Sequence, residues 1–259
     1  MTILVSLSGG LDSAWVLQHL LKEKRDPIAV YHCNLKTVHN FDEVENRAAD
    51  AIVAWCDKNI RPIKWYKKST IDMGEIIYGT NGPIVGPHVV ACLEDDFSCS
   101  TIATGQSISE NIGGNPWNLT IDPIAFTKAL EMAWSWTCMK CPIGEPRGGK
   151  KLKVIHPCYT EKHTKKFMQH DMDPELFALT WSCRVPIKFT DPCMPGETPN
   201  VRYEPCGRCY NCIYRGDIED REGNLTINGP SYNEILNAGK EPPYLWVPPV
   251  MTSVHAENA

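Results

Sequence analysis

Apolar residues first gather in an unbroken run, Ile3-Leu4-Val5-Ser6-Leu7, and then recur at helical spacing. The run predicts a buried strand. Leu11, Val16, Leu17, Leu20 and Leu21 share one broad face of a helix predicted from Asp12 to Lys24. The alternation continues. A second strand is predicted over Pro27 to Tyr31, and a helix over Asp42 to Asn59 carries Val44, Ala48, Ala51, Ile52 and Trp55. A third strand is predicted over Arg61 to Tyr66, a helix over Pro87 to Phe97 and a fourth strand over Ser100 to Thr104, closed by Gly105. A helix over Asp122 to Trp136 has Pro123 in its first turn, where no backbone donor is lost. Leu152 to His156 reads as a fifth strand, followed by a short helix from Thr160.

Strands separated by helices imply an α/β fold: a twisted parallel sheet with helices on both faces. Beyond about residue 180 Cys, Pro and Gly replace the alternation. The chain therefore divides into a body, residues 1–180, and a small metal-organised segment with a tail, residues 181–259. Lys240 to Val250 holds four prolines with Tyr244 and Trp246 and reads as a tail that packs on the body or is loosely ordered.

Composition narrows the function classes. The 259 residues are 42% hydrophobic and 22% charged, which are globular values, and suit one large domain with an appendage. A net charge of -5 and a pI near 5.9 give no global field for nucleic acid, so no direct nucleic-acid partner is expected. The first strand begins at residue 3, with no leader-like segment and no apolar run of membrane-spanning length. A cytoplasmic location without membrane contact is the expectation. Twelve cysteines in a reducing compartment point to metal or catalysis before disulfides.

Ser8-Gly9-Gly10-Leu11-Asp12-Ser13 stands where the first strand meets the first helix. Unpaired backbone N–H groups and the positive end of the helix dipole favour an anion there. Gly9 and Gly10 allow backbone to approach a phosphate closely. Ser8 and Ser13 add hydroxyls. Asp12 is a candidate helix cap and a candidate metal contact. A near-match to a Walker A loop at Gly144 to Lys151 ends in Lys151 instead of a magnesium-binding hydroxyl, and reads as a basic loop.

Cys206-Gly-Arg-Cys209-Tyr-Asn-Cys212 offers three thiols at three-residue steps, a spacing that lets them converge on one tetrahedral ion. Cys183, in Thr180-Trp-Ser-Cys183, is the preferred fourth ligand, and Cys193 is its rival. Four thiolates would close the coordination sphere of a structural Zn2+; an iron–sulfur cluster is the competing occupant. Cys138-Met-Lys-Cys141 has no evident partner pair, and Cys33, Cys56, Cys92, Cys99 and Cys158 read as small core residues.

Together these motifs resemble a known family. Ser-Gly-Gly-Leu-Asp-Ser is similar to the PP-loop of the N-type ATP pyrophosphatases. With Thr-x-Ser-Cys and Cys-Gly-x-Cys-x-x-Cys near the C-terminal end, the chain resembles the 7-cyano-7-deazaguanine synthase family. His156-Pro157, Thr164-Lys165 and Asp122-Pro-Ile-Ala-Phe126 add to the likeness, which covers roughly residues 3–215. The resemblance implies a Rossmann-like PP-loop fold and an ATP-dependent carbon–nitrogen ligase. It would convert 7-carboxy-7-deazaguanine and ammonia to the nitrile by adenylylation, through an amide. ATP, Mg2+ and Zn2+ are the implied cofactors. Ser8, Gly9, Gly10, Leu11, Asp12 and Ser13 would hold the nucleotide, with Ser8, Asp12, Ser13 and Lys165 acting in catalysis and Cys183, Cys206, Cys209 and Cys212 holding metal. A homodimer is the expected assembly.

The likeness has gaps. Twenty-two residues lie between Cys183 and Cys206, where the family has fewer. Val85-Gly86-Pro87-His88 and Gly105-Gln106 depart from the family pattern beside the substrate site. His32 and Tyr31, at the end of the second strand, lie where adenine or ribose would sit, although a structural role suits a histidine there better. His88, Arg208 and Arg215 are further candidates for substrate contact, and Trp181 for packing on the metal segment. Two other readings stand beside the synthase. One is another PP-loop ligase, thiolating or amide-forming, acting on a different carboxylate or carbonyl. The other is a non-catalytic module that binds nucleotide and zinc.

Overall fold

The computed structural model of the chain describes residues 1–36, 42–72, 89, 99–106, 127–134, 152–183, 187–190 and 201–205. Five parallel strands form one sheet: β1 (Thr2–Ser6), β2 (Ile28–Lys36), β3 (Trp65–Asp72), β4 (Cys99–Thr104) and β5 (Lys153–Ile155). Their order is β3-β2-β1-β4-β5. The helices are α1 (Leu11–Glu23), α2 (Asp42–Asn59), α3 (residues 127–134), α4 (Pro157–Thr160), α5 (Lys165–Asp171) and α6 (Pro174–Leu179). A separate antiparallel pair, β6 (Ile187–Thr190) and β7 (Val201–Glu204), follows.

Strand side chains alternate between two apolar layers, which shows that helices cover both faces. Ile3, Val5, Ile28, Val30 and Ala103 pack with α1, α2, α5 and α6. Leu4, Ala29, Tyr31 and Ile102 pack on the opposite face with Val89 and with Leu130 and Trp134 of α3. The expected parallel α/β architecture with helices on both faces is the one found.

α1 is buried nearly all round because the sheet lies on one side of it and α5 and α6 on the other. Two polar side chains survive there by pairing. Trp15 Nε1 donates to Asp171 Oδ2 at 2.8 Å. Gln18, 1% exposed, donates to Asp171 O and accepts from Asp173 N, so it clamps the α5–α6 junction.

Several boundaries differ from expectation. The third strand is Trp65–Asp72, not Arg61 to Tyr66. Ile60 and Ile63, which suggest the earlier start, pack on the core from a connecting segment. Arg61 serves the end of α1 instead. Its Nε donates to Leu21 O at 2.8 Å, and its Nη2 to Lys24 O and Asp26 O, both at 2.9 Å. It therefore satisfies carbonyls that the end of α1 leaves open. Arg61→Ala is expected to lower the free energy of urea unfolding by about 2 kcal/mol, and Arg61→Lys to recover less than half of that, because lysine lacks the planar fork.

Thr160 ends a helix instead of starting one. Lys162, at φ 56°, breaks the chain, and Thr164 then caps α5 by accepting from Phe167 N at 3.1 Å. The expected helices over 87–97 and 122–136 are described only at residue 89 and over 127–134, and both are helical there. No helix among the described residues is long and apolar enough to cross a membrane.

Candidate functional site

The strand order reverses direction at β1. The chain runs outward from β1 through β2 to β3, then returns to place β4 on the other side of β1. The carboxyl ends of β1 and β4 thus flank a topological switch point, where α/β sheets bind ligands. Ser8-Gly9-Gly10 leaves β1 at this point.

Elementary sterics explain the loop. Gly9 has φ +86°, and a Cβ there would lie 2.6 Å from Glu45 O in the backbone of α2. The chain presses on α2 and then turns into α1. Gly10 is the N-cap of α1 and, being glycine, has no side chain with which to cap that helix end. Asp12, a candidate cap by sequence, sits instead one residue inside the first turn, because the helix starts at Leu11.

The serines brace the loop internally. Ser13 Oγ donates to Gly10 O at 3.1 Å and accepts from Ser8 N at 3.1 Å. With that proton committed, Ser8 Oγ donates to Ser13 Oγ at 3.0 Å and accepts from Gly10 N at 3.3 Å. Ser13 is buried while Ser8 is exposed at the mouth of the loop.

Distant segments form the walls. A Cβ on Gly105, just past β4, would lie 2.6 Å from Ser13 N and 2.9 Å from Asp12 C, so β4 ends hard against the start of α1. Trp181 N donates to Gly9 O at 2.9 Å, and Trp181 Nε1 donates to Cys183 O at 2.8 Å. The segment carrying Cys183 is thereby tied directly to the loop. Lys165, in the first turn of α5, puts its Nζ 3.7 Å from Asp12 Oδ2. Cys158 is buried beneath, with Sγ 3.8 Å from Asp12 O, and burial holds its thiol well above the usual range. Beside it, His156 bridges Thr104 Oγ1 (Nδ1, 2.6 Å) and Thr127 Oγ1 (Nε2, 2.8 Å), joining the ends of β4 and α3.

The α1 N-terminus, whose N-cap glycine offers no capping side chain, and the Lys165 ammonium form a donor set that fits a polyphosphate. Asp12 is the carboxylate placed to reach a divalent cation beside such an anion.

Of the remaining candidates, His32 is 1% exposed and holds Leu7 O through Nδ1 at 2.8 Å. Desolvation lowers its pKa, so the ring is neutral. Tyr31 OH is bonded to Ser69 Oγ on the opposite sheet face. Cys56, Cys99, Cys158 and Cys183 are buried, and Cys33 half-buried. Desolvation pushes the Cys56 thiol up to about 12, as suits an inert core residue. Cys193, Cys206, Cys209 and Cys212 lie outside the described residues. So do Cys92, Cys138, Cys141, His88, Arg208, Arg215, the basic loop at 144–151 and the tail at 240–250.

The β6–β7 hairpin occupies the stretch between Cys183 and Cys206 and docks on the start of α2. Arg47 Nη1 donates to Val201 O at 3.1 Å, Tyr203 OH donates to Glu43, and Arg47 pairs with Glu43 in turn. The Pro- and Cys-rich composition conceals this hairpin. Gly105 and the backbone of Trp181 are further members of the site that no local pattern announces, since their partners lie roughly a hundred residues or more away in sequence.

No family model matches the chain, and neither does any curated protein. Among solved structures, it is similar to the U34-tRNA thiolase NcsA of Methanococcus maripaludis, determined with its 4Fe–4S cluster. The identity is 14% and the TM-score 0.40, over 92% of this chain and 70% of the other. A likeness that distant assigns neither activity nor cofactor to this chain.

Proposed function

We propose that this chain is an ATP-dependent adenylylating enzyme, and specifically a 7-cyano-7-deazaguanine synthase. The observation that carries the reading is the loop Ser8 to Ser13 at the sheet's switch point, opening on a helix N-terminus whose N-cap is glycine, with Lys165 beside it. The Ser-Gly-Gly-Leu-Asp-Ser and cysteine motifs support the finer assignment.

The chemistry begins from an unreactive group. A carboxylate is a poor electrophile, so its oxygen attacks the α-phosphorus of ATP and pyrophosphate leaves. Ammonia then displaces AMP and loses a proton, giving the amide. A second adenylylation of the amide oxygen lets AMP depart with loss of the two remaining nitrogen protons, leaving the nitrile.

The protein positions reactants and stabilises phosphate charge. Gly9 and Gly10 let backbone close on the pyrophosphate. Ser13 holds the loop in shape, while Ser8 presents its hydroxyl at the mouth. Lys165 offsets charge that builds on the departing pyrophosphate. Asp12 is the residue that would hold Mg2+, which supplies further charge neutralisation when bound. Cys183, with Cys206, Cys209 and Cys212, would hold a structural Zn2+.

The test is mass spectrometry of the deazaguanine after incubation with ATP, Mg2+ and ammonium. Loss of about one mass unit marks the amide, and a further loss of water the nitrile. ATP cleavage with an unchanged deazaguanine would move the reading to another carboxylate or carbonyl, thiolation included. No ATP cleavage by folded, metal-replete protein would leave a binding module. Lys165→Ala is expected to lower kcat by about a hundredfold with a smaller change in the KM for ATP, since the charge it meets grows in the transition state.

A further inference from the structure

One face of α1 meets a single later segment. Asp12, Trp15 and His19 stand at positions i, i+3 and i+7, so they share a stripe along the helix. Each contacts the stretch from Glu161 to Asp171. Asp12 pairs with Lys165, Trp15 bonds to Asp171, and His19 Nε2 lies 3.7 Å from Glu161 Oε1. The stretch does not hold itself in place. α4 has four residues and α5 seven, both too short to be stable alone. Lys162, between them, sits at φ 56°, a conformation that lysine seldom adopts. Tertiary contacts therefore set where α5 begins, and Lys165 is its first residue.

Four rings join α1 to this stretch. His19 stacks on Trp15, with centroids 4.7 Å and planes 18° apart. Trp15 meets His163 edge-on at 5.0 Å. His163 in turn stacks on Phe167 at 4.1 Å and 9°. Glu161 closes the array. A carboxylate only accepts, so His163 Nε2 donates to its Oε2, at 2.8 Å. The other carboxylate oxygen faces His19. One side chain thus sets the plane of the ring on which Phe167 rests, and Phe167 lies two residues from Lys165. Placement matters because a lysine ammonium is a point charge on a flexible stem. It stabilises phosphate charge only as well as the backbone beneath it is positioned.

We propose that Glu161 is a positioning residue: through His163 and His19 it holds α5 so that Lys165 meets the phosphates of the loop's nucleotide. The inference rests on the reading of Ser8 to Ser13 as a phosphate loop with Lys165 as its cation.

The experiment is calorimetric titration of pyrophosphate into the full chain, as wild type, Glu161→Ala, Glu161→Gln, Lys165→Ala, and Glu161→Ala combined with Lys165→Ala. Pyrophosphate carries the charge that Lys165 offsets, so Lys165→Ala is expected to weaken its binding about tenfold or more. Glu161→Ala should weaken it roughly three- to tenfold, although removing a negative charge would by itself favour an anion. Glu161→Gln changes the charge identically but keeps an acceptor for His163, and is expected to bind within about twofold of wild type. In the Lys165→Ala background, Glu161→Ala should cost less than about twofold, because its effect passes through the ammonium. Glu161 is exposed, so melting temperatures should stay within about 2 °C of wild type. Wild-type affinity in Glu161→Ala, an equal loss in both backgrounds, or a loss in Glu161→Gln as large as in Glu161→Ala would overturn the inference. Failure of wild type to bind pyrophosphate would instead defeat the loop reading, and an unaffected Lys165→Ala the role given to that lysine; either takes the inference with it.

Discussion

Gly9→Ala is expected to abolish nucleotide binding and to lower stability by about 3 kcal/mol. Two costs add. A residue with a Cβ held at φ +86° gives up about 1–2 kcal/mol. The Cβ also meets Glu45 O at 2.6 Å, and that carbonyl belongs to helical backbone, which cannot swing aside as a side chain would. Gly105→Ala makes an informative contrast. Its φ imposes no penalty, but its Cβ would strike Ser13 N at 2.6 Å and push the start of α1 away from β4. The expected stability loss is smaller, about 1–3 kcal/mol, while nucleotide affinity falls as far as in Gly9→Ala. Gly10→Ala meets only Ser8 Oγ at 3.4 Å and Trp181 O at 3.6 Å, and is expected to melt like wild type. Calorimetry and ATP binding on the three variants check the set. Equal melting temperatures for all three would refute a steric origin for the loop's shape.

The second large effect concerns metal. Cys183→Ser, Cys206→Ser, Cys209→Ser and Cys212→Ser are each expected to lose stoichiometric metal, whereas Cys193→Ser keeps it. The reason is hairpin register. Ile187 pairs with Glu204, and Thr190 with Val201. Cys183 precedes Ile187 by four residues in sequence and Cys206 follows Glu204 by two, and Ile187 and Glu204 are paired with each other. Cys193 follows Thr190 by three residues in sequence, on the side of the Thr190–Val201 rung. The long spacing between Cys183 and Cys206 is then no obstacle, because the antiparallel pairing of β6 and β7 brings Ile187 opposite Glu204. Elemental analysis of purified protein reads the outcome. Zinc supports the four-thiolate structural site; iron with sulfide would replace it by a cluster. Chelation of structural zinc should unfold this segment, at a cost on the order of 10 kcal/mol. Metal lost from Cys193→Ser and kept in Cys183→Ser would reverse the ligand assignment.

Much of the body is legible in the sequence because burial writes itself into short windows. The continuous apolar run of β1 and the periodicity of α2, found at Asp42–Asn59 as expected, are local signals. β3 escapes such a reading because it lies at one end of the sheet order, and its middle, Lys67-Lys68-Ser69-Thr70, shows no apolar run. The loop is legible as a string of glycines and serines, but not the use of each one. Ser13 spends its proton on Gly10 O, which no spacing rule reveals. By sequence Gly105 is a strand terminator and Trp181 a packing residue, since their contacts with the loop are set by tertiary structure alone.

The hydrogen bond from Trp181 N to Gly9 O also orders events during synthesis. Its partners are 172 positions apart in the chain. At about 5–20 residues per second, a ribosome needs roughly ten to thirty seconds between making the loop and making the residue that secures it. The β4 flank of β1 stays open for part of that interval too, until residue 104 arrives. A nascent chain therefore carries an apolar strand and an unfinished glycine turn until residue 181 is made. Yield in a cell should respond to translation speed and to chaperone supply more sharply than refolding of the finished polypeptide would suggest.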